Sequence, residues 1–180
     1  MTSWKNNNTL ASRKLVEETL NSAEKSRKIR AVDTAHLRKL VKDRIAAFGP
    51  NCDLNDIDVS HITDMSDLFH EVEFNGDISK WDTANVKDMS WMFAKSSFNG
   101  DISSWNTSNV EDMHYMFFKS KFNGDISNWD VSNVDDMRDM FANSEFNGDI
   151  SKWDVSSVQD VDDIFEGSPL EGREPSWYRE

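Results

Sequence analysis

Aspartates that recur every 24 positions are the residues of this sequence with the clearest potential for chemistry. Carboxylates stacked about 5 Å apart repel one another unless each accepts backbone N–H groups in a turn or at a helix N-terminus, or unless cations such as calcium bridge them. Because the aspartates occur in every unit, we favour the role in turns over calcium, and we predict no metal site and no cofactor. Two columns are formed by Asp77, Asp101, Asp125 and Asp149, and by Asp64, Asp88, Asp112, Asp136 and Asp160.

The other residue types that serve catalysis or metal binding form no motif. The four histidines have no ligand spacing, Cys52 has no partner motif, and the glycines come once per unit and do not form a phosphate loop. No acid, base and nucleophile converge in the sequence, and an enzyme is therefore not predicted. The histidines are His36, His61, His70 and His114.

Composition and patterning predict a cytoplasmic protein. No stretch approaches the roughly 20 apolar residues of a membrane helix, and the N-terminal MTSWKNNNTLASRK lacks the apolar segment of a signal peptide. We therefore expect no membrane partner. The single cysteine excludes an internal disulfide framework and fits a reducing compartment.

A nine-residue motif identifies the elements that must position these side chains. FNGDISKWD begins at Phe74, and close copies begin at Phe98, Phe122 and Phe146. A fixed period of this length predicts a structural unit stacked on copies of itself. We assign residues 51–180 to this array, with four well-formed units from Asp53 to Phe146, a fifth and weaker unit to Leu170, and a fragmentary C-terminal cap.

Each unit is predicted to contain a strand and a short helix. ISKWDT alternates like an extended segment, and DMSWMF places apolar residues at i, i+3 and i+4, as one turn of helix does. Asp88 is the predicted N-cap of that helix, and Asn75-Gly76 is a turn signal. Asparagine recurs at this position in every well-formed unit and is predicted to form a ladder that stabilises the turns: Asn75, Asn99, Asn123 and Asn147. The stacked strands would form a parallel sheet. One buried column is expected to contain Trp81, Trp105, Trp129 and Trp153.

The stretch FNGDISKWDTANVKDMSWMF resembles the repeat of the BspA-like leucine-rich-repeat surface proteins, a bacterial family of tandem repeats also found in phages and protists. The resemblance extends from Asp53 to about Phe165, with Gly, Asp, Ile, Trp, Val, Asp, Met, Met and Phe in register. It implies a leucine-rich-repeat-type solenoid. Together with the residue patterns, this predicts an α/β fold: a leucine-rich-repeat-like solenoid of strand–short helix units with a parallel sheet, capped by N-terminal α-helices. It also implies surface adhesion and protein binding.

Residues 1–50 are predicted to be a helical N-terminal cap. Asp33 is an N-cap candidate, and Gly49 and Pro50 end the helix that follows it. Upstream, the segment around Leu10 to Leu20 is read as a second cap helix, in preference to an arm that orders on a partner. The face expected to cover the first unit consists of Leu37, Leu40, Val41, Ile45 and Phe48.

The charge is divided between these two regions. Residues 1–50 carry 11 Lys/Arg and 5 Asp/Glu, and residues 51–180 carry 9 and 28, so the net charges are +6 and −19. A region at −19 repels phosphate groups, which argues against direct binding of nucleic acid. Its field attracts partners with a basic surface.

Positions that vary between units are the candidates for binding, because structural positions must repeat. Column 67/91/115/139/163 reads Asp, Trp, Tyr, Asp, Asp, and Phe118 interrupts a neighbouring column. Trp91, Tyr115 and Phe118 are predicted to form an exposed aromatic patch beside Lys95, Lys119 and Lys121. The alternative surface is the exposed side of the strands. Its candidate residues are Asp82, Asn106, Asp130 and Asp154.

These features favour a non-enzymatic protein–protein interaction solenoid of the adaptor or inhibitor type. Two alternatives stay open: an acidic decoy that mimics nucleic acid and inhibits a nucleic-acid-binding protein, and an adhesin fragment. The decoy should lose affinity steeply with ionic strength, whereas binding through aromatics should not. The sequence predicts another protein as the partner and leaves the partner's identity and the oligomeric state open.

Overall fold

One helix and two short strands are the regular elements of residues 28–178, the part of the chain that this computed structural model describes. Strand β1 is Ile29–Arg30, helix α1 is Thr34–Phe48, and strand β2 is Ile57–Asp58. The strands pair in parallel, with Ile29 opposite Ile57. No helix in these residues is both long and apolar enough to cross a membrane. The predicted second cap helix around Leu10 to Leu20 lies outside them.

Helix α1 has the bounds that its sequence predicts. Asp33 is the N-cap, and its side chain accepts a hydrogen bond from the backbone N–H of His36 at 2.7 Å. Gly49 ends the helix with a φ of 87°, which favours glycine. Leu37 is buried on the expected face, but Phe48 is 69% exposed, so the expectation for Phe48 is wrong.

Helix α1 also closes the N-terminal end of the array through side chains that bind backbone carbonyls. Thr34 Oγ1 donates to the carbonyl of Asp64 at 2.8 Å, and Arg38 Nη2 donates to the carbonyl of Ser66 at 2.6 Å. In later units the equivalent carbonyls accept N–H groups from the preceding unit. The helix therefore supplies donors where no preceding unit exists.

Successive units lie parallel and are joined by backbone hydrogen bonds between residues 23 positions apart. Four such bonds, 2.7–3.0 Å long, connect the second unit to the third. Isolated parallel bridges also pair the aspartates, as in Asp88 with Asp112. The four donors are the N–H groups of Met89, Trp91, Phe93 and Lys95, and the acceptors are the carbonyls of Asp112, His114, Met116 and Phe118.

The predicted short helix is absent from every unit of the described residues, and the predicted strand is absent from all units but the first, where β2 covers two of its positions; turns replace them. Within DMSWMF the N–H groups of Met89, Trp91 and Phe93 bond to carbonyls of the next unit and not four residues back. Trp91 has a φ of 59°, which a right-handed helix does not allow. Asp88 is therefore not a helix N-cap: its carboxylate accepts the N–H of Ser90, two residues on. Asp77 and Asp82 close similar turns within the segment predicted as a strand.

The core consists of apolar columns that run through the stack. The four tryptophans of the predicted column are 4–5% exposed, which confirms that prediction. Each buried indole N–H donates to the carbonyl of the residue 27 positions earlier, as Trp105 does to Ile78 at 3.2 Å, so no donor is lost on burial. Beside them lie fully buried phenylalanine columns: Phe69, Phe93, Phe117 and Phe141, and Phe74, Phe98, Phe122 and Phe146.

Glycine and asparagine of the FNG motif have different roles. Asn99 confirms the predicted ladder, because its side-chain oxygen accepts the N–H of Asn123 at 2.8 Å. Gly76 and Gly100 were expected to serve turns, but they do not have positive φ angles. They allow close packing instead: a Cβ at Gly100 would lie 2.8 Å from the Phe98 ring.

Candidate interaction surface

The repeating aspartates stabilise turns, as the sequence analysis favoured. In both columns the carboxylate accepts the backbone N–H of the residue two positions on, as in the 2.8 Å bond from Ser90 to Asp88 and the 3.0 Å bond from Ser103 to Asp101. Hydrogen bonds from the side chain and backbone of Ser103 lower the pKa of Asp101, and this effect exceeds the repulsion from Asp77 and Asp125. These bonds offset the repulsion expected within a column.

In two places within the described residues, histidine or carboxylate atoms of the kind that bind metal ions lie within 4.8 Å of one another. In the first, Asp112 already accepts from His114, and Asp136 accepts from Arg138 at 2.6 Å. The second contains three carboxylates, those of Asp139, Asp163 and Glu166.

The remaining residues considered for chemistry lie apart from these groups. Cys52 is a half-buried free thiol whose pKa is raised by burial. The ring nitrogens of His61 have no hydrogen-bond partner within the described residues, and His36 Nδ1 accepts the N–H of Val32 beside α1.

The structure brings Trp91, Tyr115 and Phe118 together, and we call these three residues the aromatic cluster. The rings of Trp91 and Tyr115 stack with centroids 4.2 Å apart and planes 8° from parallel. The Phe118 ring meets both edge-on, with centroids 5.2 Å from Tyr115 and 6.1 Å from Trp91. All three side chains are half-buried, so part of each ring surface faces solvent.

Charged and polar side chains surround the aromatic cluster. The ammonium of Lys119 lies 4.8 Å from the Phe118 ring centroid, which is a cation–π distance. Lys95 pairs with Glu71 at 2.7 Å, and both line a neighbouring shallow groove with Lys119 and Lys121. A hydrogen bond with Asp139 raises the pKa of Tyr115. The arrangement is an apolar centre with a polar rim.

Two members of the aromatic cluster have an unfavourable backbone conformation. Trp91 has a φ of 59° and Tyr115 a φ of 56°, both in the left-handed region. The equivalent positions of the other units have nearly the same φ, but Asp occupies all three: Asp67, Asp139 and Asp163. Asp tolerates this conformation, whereas a bulky residue there is strained.

The second predicted surface is a column of turns and not the face of a sheet. Asp82, Asn106, Asp130 and Asp154 are exposed, and each side-chain oxygen accepts the N–H of the residue two positions on. Hydrogen bonds from Ser132 and Ser156 lower the pKa values of Asp130 and Asp154. In each of these four side chains, one oxygen is therefore already bonded within its own turn.

Two histidines adjoin the aromatic cluster without having been assigned to it from the sequence. The His70 ring lies 5.2 Å from the Trp91 ring, and His114 Nε2 lies 3.1 Å from the indole Nε1 of Trp91. The 24-residue repeat could have predicted that both histidines lie near the aromatic cluster, because His114 precedes Tyr115 and His70 belongs to the column of Phe118. The direction of each side chain depends on the turn conformation, which the residue spacing wrongly predicts to be helical.

The backbone contacts between neighbouring units define the class of protein: parallel stacked units, closed at the N-terminal end by a helix. The chain belongs to the family described as Mycoplasma protein of unknown function, DUF285, which matches residues 35–144 and 118–173. These matches begin within α1 and continue past the fifth unit, so the family includes the helix as well as the units. No curated protein and no solved structure matches the chain.

Proposed function

We propose that this chain is a non-enzymatic protein-binding module whose partner docks on the aromatic cluster. One observation carries the proposal: Trp91 and Tyr115 occupy left-handed backbone positions that are Asp in the other three units. A left-handed conformation costs an L-residue roughly 1–2 kcal/mol, and strain of this kind concentrates at functional sites. Two adjacent units therefore retain aromatic residues where the backbone disfavours them.

The geometry of the aromatic cluster supports docking of a protein surface. Stacking of two rings contributes about 0.5–1.5 kcal/mol, which offsets only part of the combined strain. The half-buried rings keep apolar surface available, and tryptophan and tyrosine are enriched among the residues that dominate binding energy at interfaces. A polar rim that includes Lys119 and Asp139 matches the usual anatomy of an interface.

We further propose that the stacked units form a leucine-rich-repeat-like solenoid related to the BspA-like proteins. Support comes from the in-register motif and from the bonds that join residues 23 positions apart. Adhesion at a cell surface, the role that the resemblance implies, would require export of the protein and is the alternative that we do not favour. We place the protein in the cytoplasm because its single cysteine, Cys52, is a free thiol.

An acidic decoy for a nucleic-acid-binding protein is the second candidate function. The observation that favours it is the net charge of −19 on residues 51–180. A decoy would bind through exposed carboxylates such as Asp82 and Asp130, and its affinity would fall steeply with ionic strength. In both proposals the acidic field favours a partner with a basic surface.

Paired substitutions distinguish the two candidates. Trp91→Asn with Tyr115→Asn removes the rings without adding charge, and asparagine tolerates the left-handed backbone, as Asn143 does with a φ of 56°. Asp82→Asn with Asp130→Asn removes two charges and keeps the turns, because Asn106 already forms the same turn in that column.

The partner is first identified by mass spectrometry as the protein that immobilised wild-type chain captures from its source organism. Calorimetry on the purified pair then measures the affinity of each variant. We expect the aromatic pair of substitutions to weaken binding by about 2 kcal/mol or more, roughly thirtyfold, and the aspartate pair to have little effect. Loss of affinity only in the aspartate variant, together with a steep dependence on salt, would establish the decoy instead.

A further inference from the structure

We propose that His114 is a positioning residue for Trp91 and that protonation of His114 releases the indole, so that the aromatic cluster is fully assembled only near neutral pH. This inference concerns regulation of the surface described above, and its biological meaning rests on the proposed function. Its physical content concerns the free protein alone and can be tested without a partner.

The hydrogen bonds of His114 define the protonation state that holds Trp91. The indole Nε1 of Trp91 lies 3.1 Å from His114 Nε2, and an indole nitrogen can only donate, so Nε2 must be the unprotonated nitrogen. The proton of the neutral ring is then on Nδ1, which donates to Asp112 Oδ1 at 2.6 Å. A neutral imidazole thus connects a fixed carboxylate to the indole.

The backbone supports the same arrangement. The N–H of Trp91 donates to the carbonyl of His114 at 3.0 Å, so the two residues are joined by both main-chain and side-chain bonds. The N–H of His114 also donates to Asp112 Oδ1, at 2.9 Å. These contacts fix the orientation of the imidazole, and its ring plane makes an angle of 88° with the plane of the indole.

Protonation reverses the role of Nε2. The cationic ring has a proton on each nitrogen, so Nε2–H would face the indole N–H, and two donors cannot share a hydrogen bond. Histidine is the side chain whose charge changes between pH 5 and 8, which makes this reversal accessible. The indole must then turn away or lose its partner, and the stack with Tyr115 loosens.

The aspartate column beside His114 passes through three neighbouring units. Asp112 holds the imidazole ring, Asp136 lies within 4.8 Å, and Asp88 belongs to the same column one unit earlier. Arg138 also lies in this region, bound to Asp136 at 2.6 Å. Tyr115, from the same unit, meets the imidazole edge-on at 5.7 Å.

The column that contains His114 shows that the turn does not require histidine. The equivalent residues of the two preceding units are Ser66 and Ser90, whose hydroxyls donate to Asp64 and Asp88 as the His114 ring does to Asp112. A serine hydroxyl satisfies the aspartate but is too short to bridge to an indole. Histidine occurs in the one unit that follows the unit of Trp91.

The experiment follows the indole N–H resonances of the ¹⁵N-labelled full chain by NMR from pH 8 to pH 5. Trp91→Phe assigns the resonance of Trp91 among the seven tryptophans. We expect this resonance to shift along a single titration curve in the wild type. It should stop titrating in His114→Ser, which copies Ser66 and Ser90, and in His114→Gln, whose amide oxygen can accept the indole N–H.

A matched control separates His114 from the other histidine near the indole. His70 packs against Trp91 and pairs with Asp67 at 3.0 Å, with Glu71 close by. His70→Ala copies Ala94 and Ala142 of the same column and should leave the titration of the Trp91 resonance in place. A Trp91 resonance that does not titrate in the wild type, or that still titrates in either His114 variant, overturns the proposal.

Measuring the affinity for the partner at two pH values tests the functional consequence. With the partner identified above, we expect affinity to be about three- to tenfold lower at pH 5.5 than at pH 7.5, as for the loss of one hydrogen bond that positions a binding group. The ratio should approach one in His114→Gln. If the NMR titration behaves as expected and aromatic substitutions leave binding unchanged, the proposed function fails while the role of His114 stands.

Discussion

Two aromatic stacks, one inside and one outside, lie only two residues apart in the chain. The inner stack runs through Phe69, Phe93, Phe117, Phe141 and Phe165, with centroids 5.5–6.1 Å apart and planes within 6° of parallel. The outer stack has two rings, Trp91 and Tyr115, at 4.2 Å. Packing demands a phenylalanine in every unit, whereas the outer backbone position is occupied by Asp wherever no ring is present. Positions that repeat in every unit are therefore those that the fold requires, and positions that differ between units are the candidates for contact with a partner.

The largest expected effect is on the inner stack. Phe117 is fully buried and contacts Phe93, Phe122 and Phe141, so Phe117→Ala leaves a cavity in the middle of the array. We expect the free energy of unfolding in urea to fall by about 3–5 kcal/mol.

The control for this prediction is Trp91→Asn on the outer stack. Relief of backbone strain there opposes the loss of ring contacts, and we expect a change below about 1 kcal/mol. Equal losses from Phe117→Ala and Trp91→Asn would contradict the distinction between the two stacks.

The next effect concerns the glycines that allow the inner rings to pack. A Cβ at Gly76 would lie 2.0 Å from the carbonyl oxygen of Cys52, a backbone atom that cannot easily move. At Gly100 the nearest atoms belong to the Phe98 ring, at 2.8 and 2.9 Å. We expect Gly76→Ala to cost about 3 kcal/mol and Gly100→Ala about 1–2 kcal/mol, measured by urea unfolding. The reverse order would show that ring packing, and not the backbone, limits these positions.

The smallest and most gradual effect comes from acid acting on the outer turns. Hydrogen bonds from Ser127 and Ser151 hold the pKa values of Asp125 and Asp149 below the usual 3.8 in the folded protein, and Asp101 behaves alike. The unfolded chain therefore binds more protons near pH 4, so this contribution is complete above that pH and is lost as the pH falls below it.

Thermal melting between pH 7 and pH 2.5 measures this loss. We expect a constant midpoint down to about pH 5 and a decline below about pH 4. The decline should be shallower in Asp101→Asn with Asp125→Asn, which keep the turn as Asn106 does. An equally steep decline in that variant would assign acid sensitivity to other groups.

The sequence predicted the repeating columns and the first helix well, because both depend on local residue patterns. The tryptophan column, the helix that begins after Asp33 and the asparagine ladder through Asn99 all follow from residue type and spacing, and the structure confirms them. The pairing of β1 with β2 was not predicted, because a two-residue strand leaves no pattern in a sequence. The aromatic cluster was predicted as a group of residues, but its two histidines were not included.

The sequence by itself determined the 24-residue period, the capping helix and the residues that must be inside, because these depend on local chemistry and on hydrophobic spacing. Only the tertiary structure decided the path of the backbone within a unit. DMSWMF has the spacing of a helical turn, but the N–H groups of Met89, Trp91 and Phe93 bond to the next unit, and Trp91 lies in the left-handed region. That conformation turns the indole toward His114 of the neighbouring unit, a contact that depends on stacking and that no single unit contains.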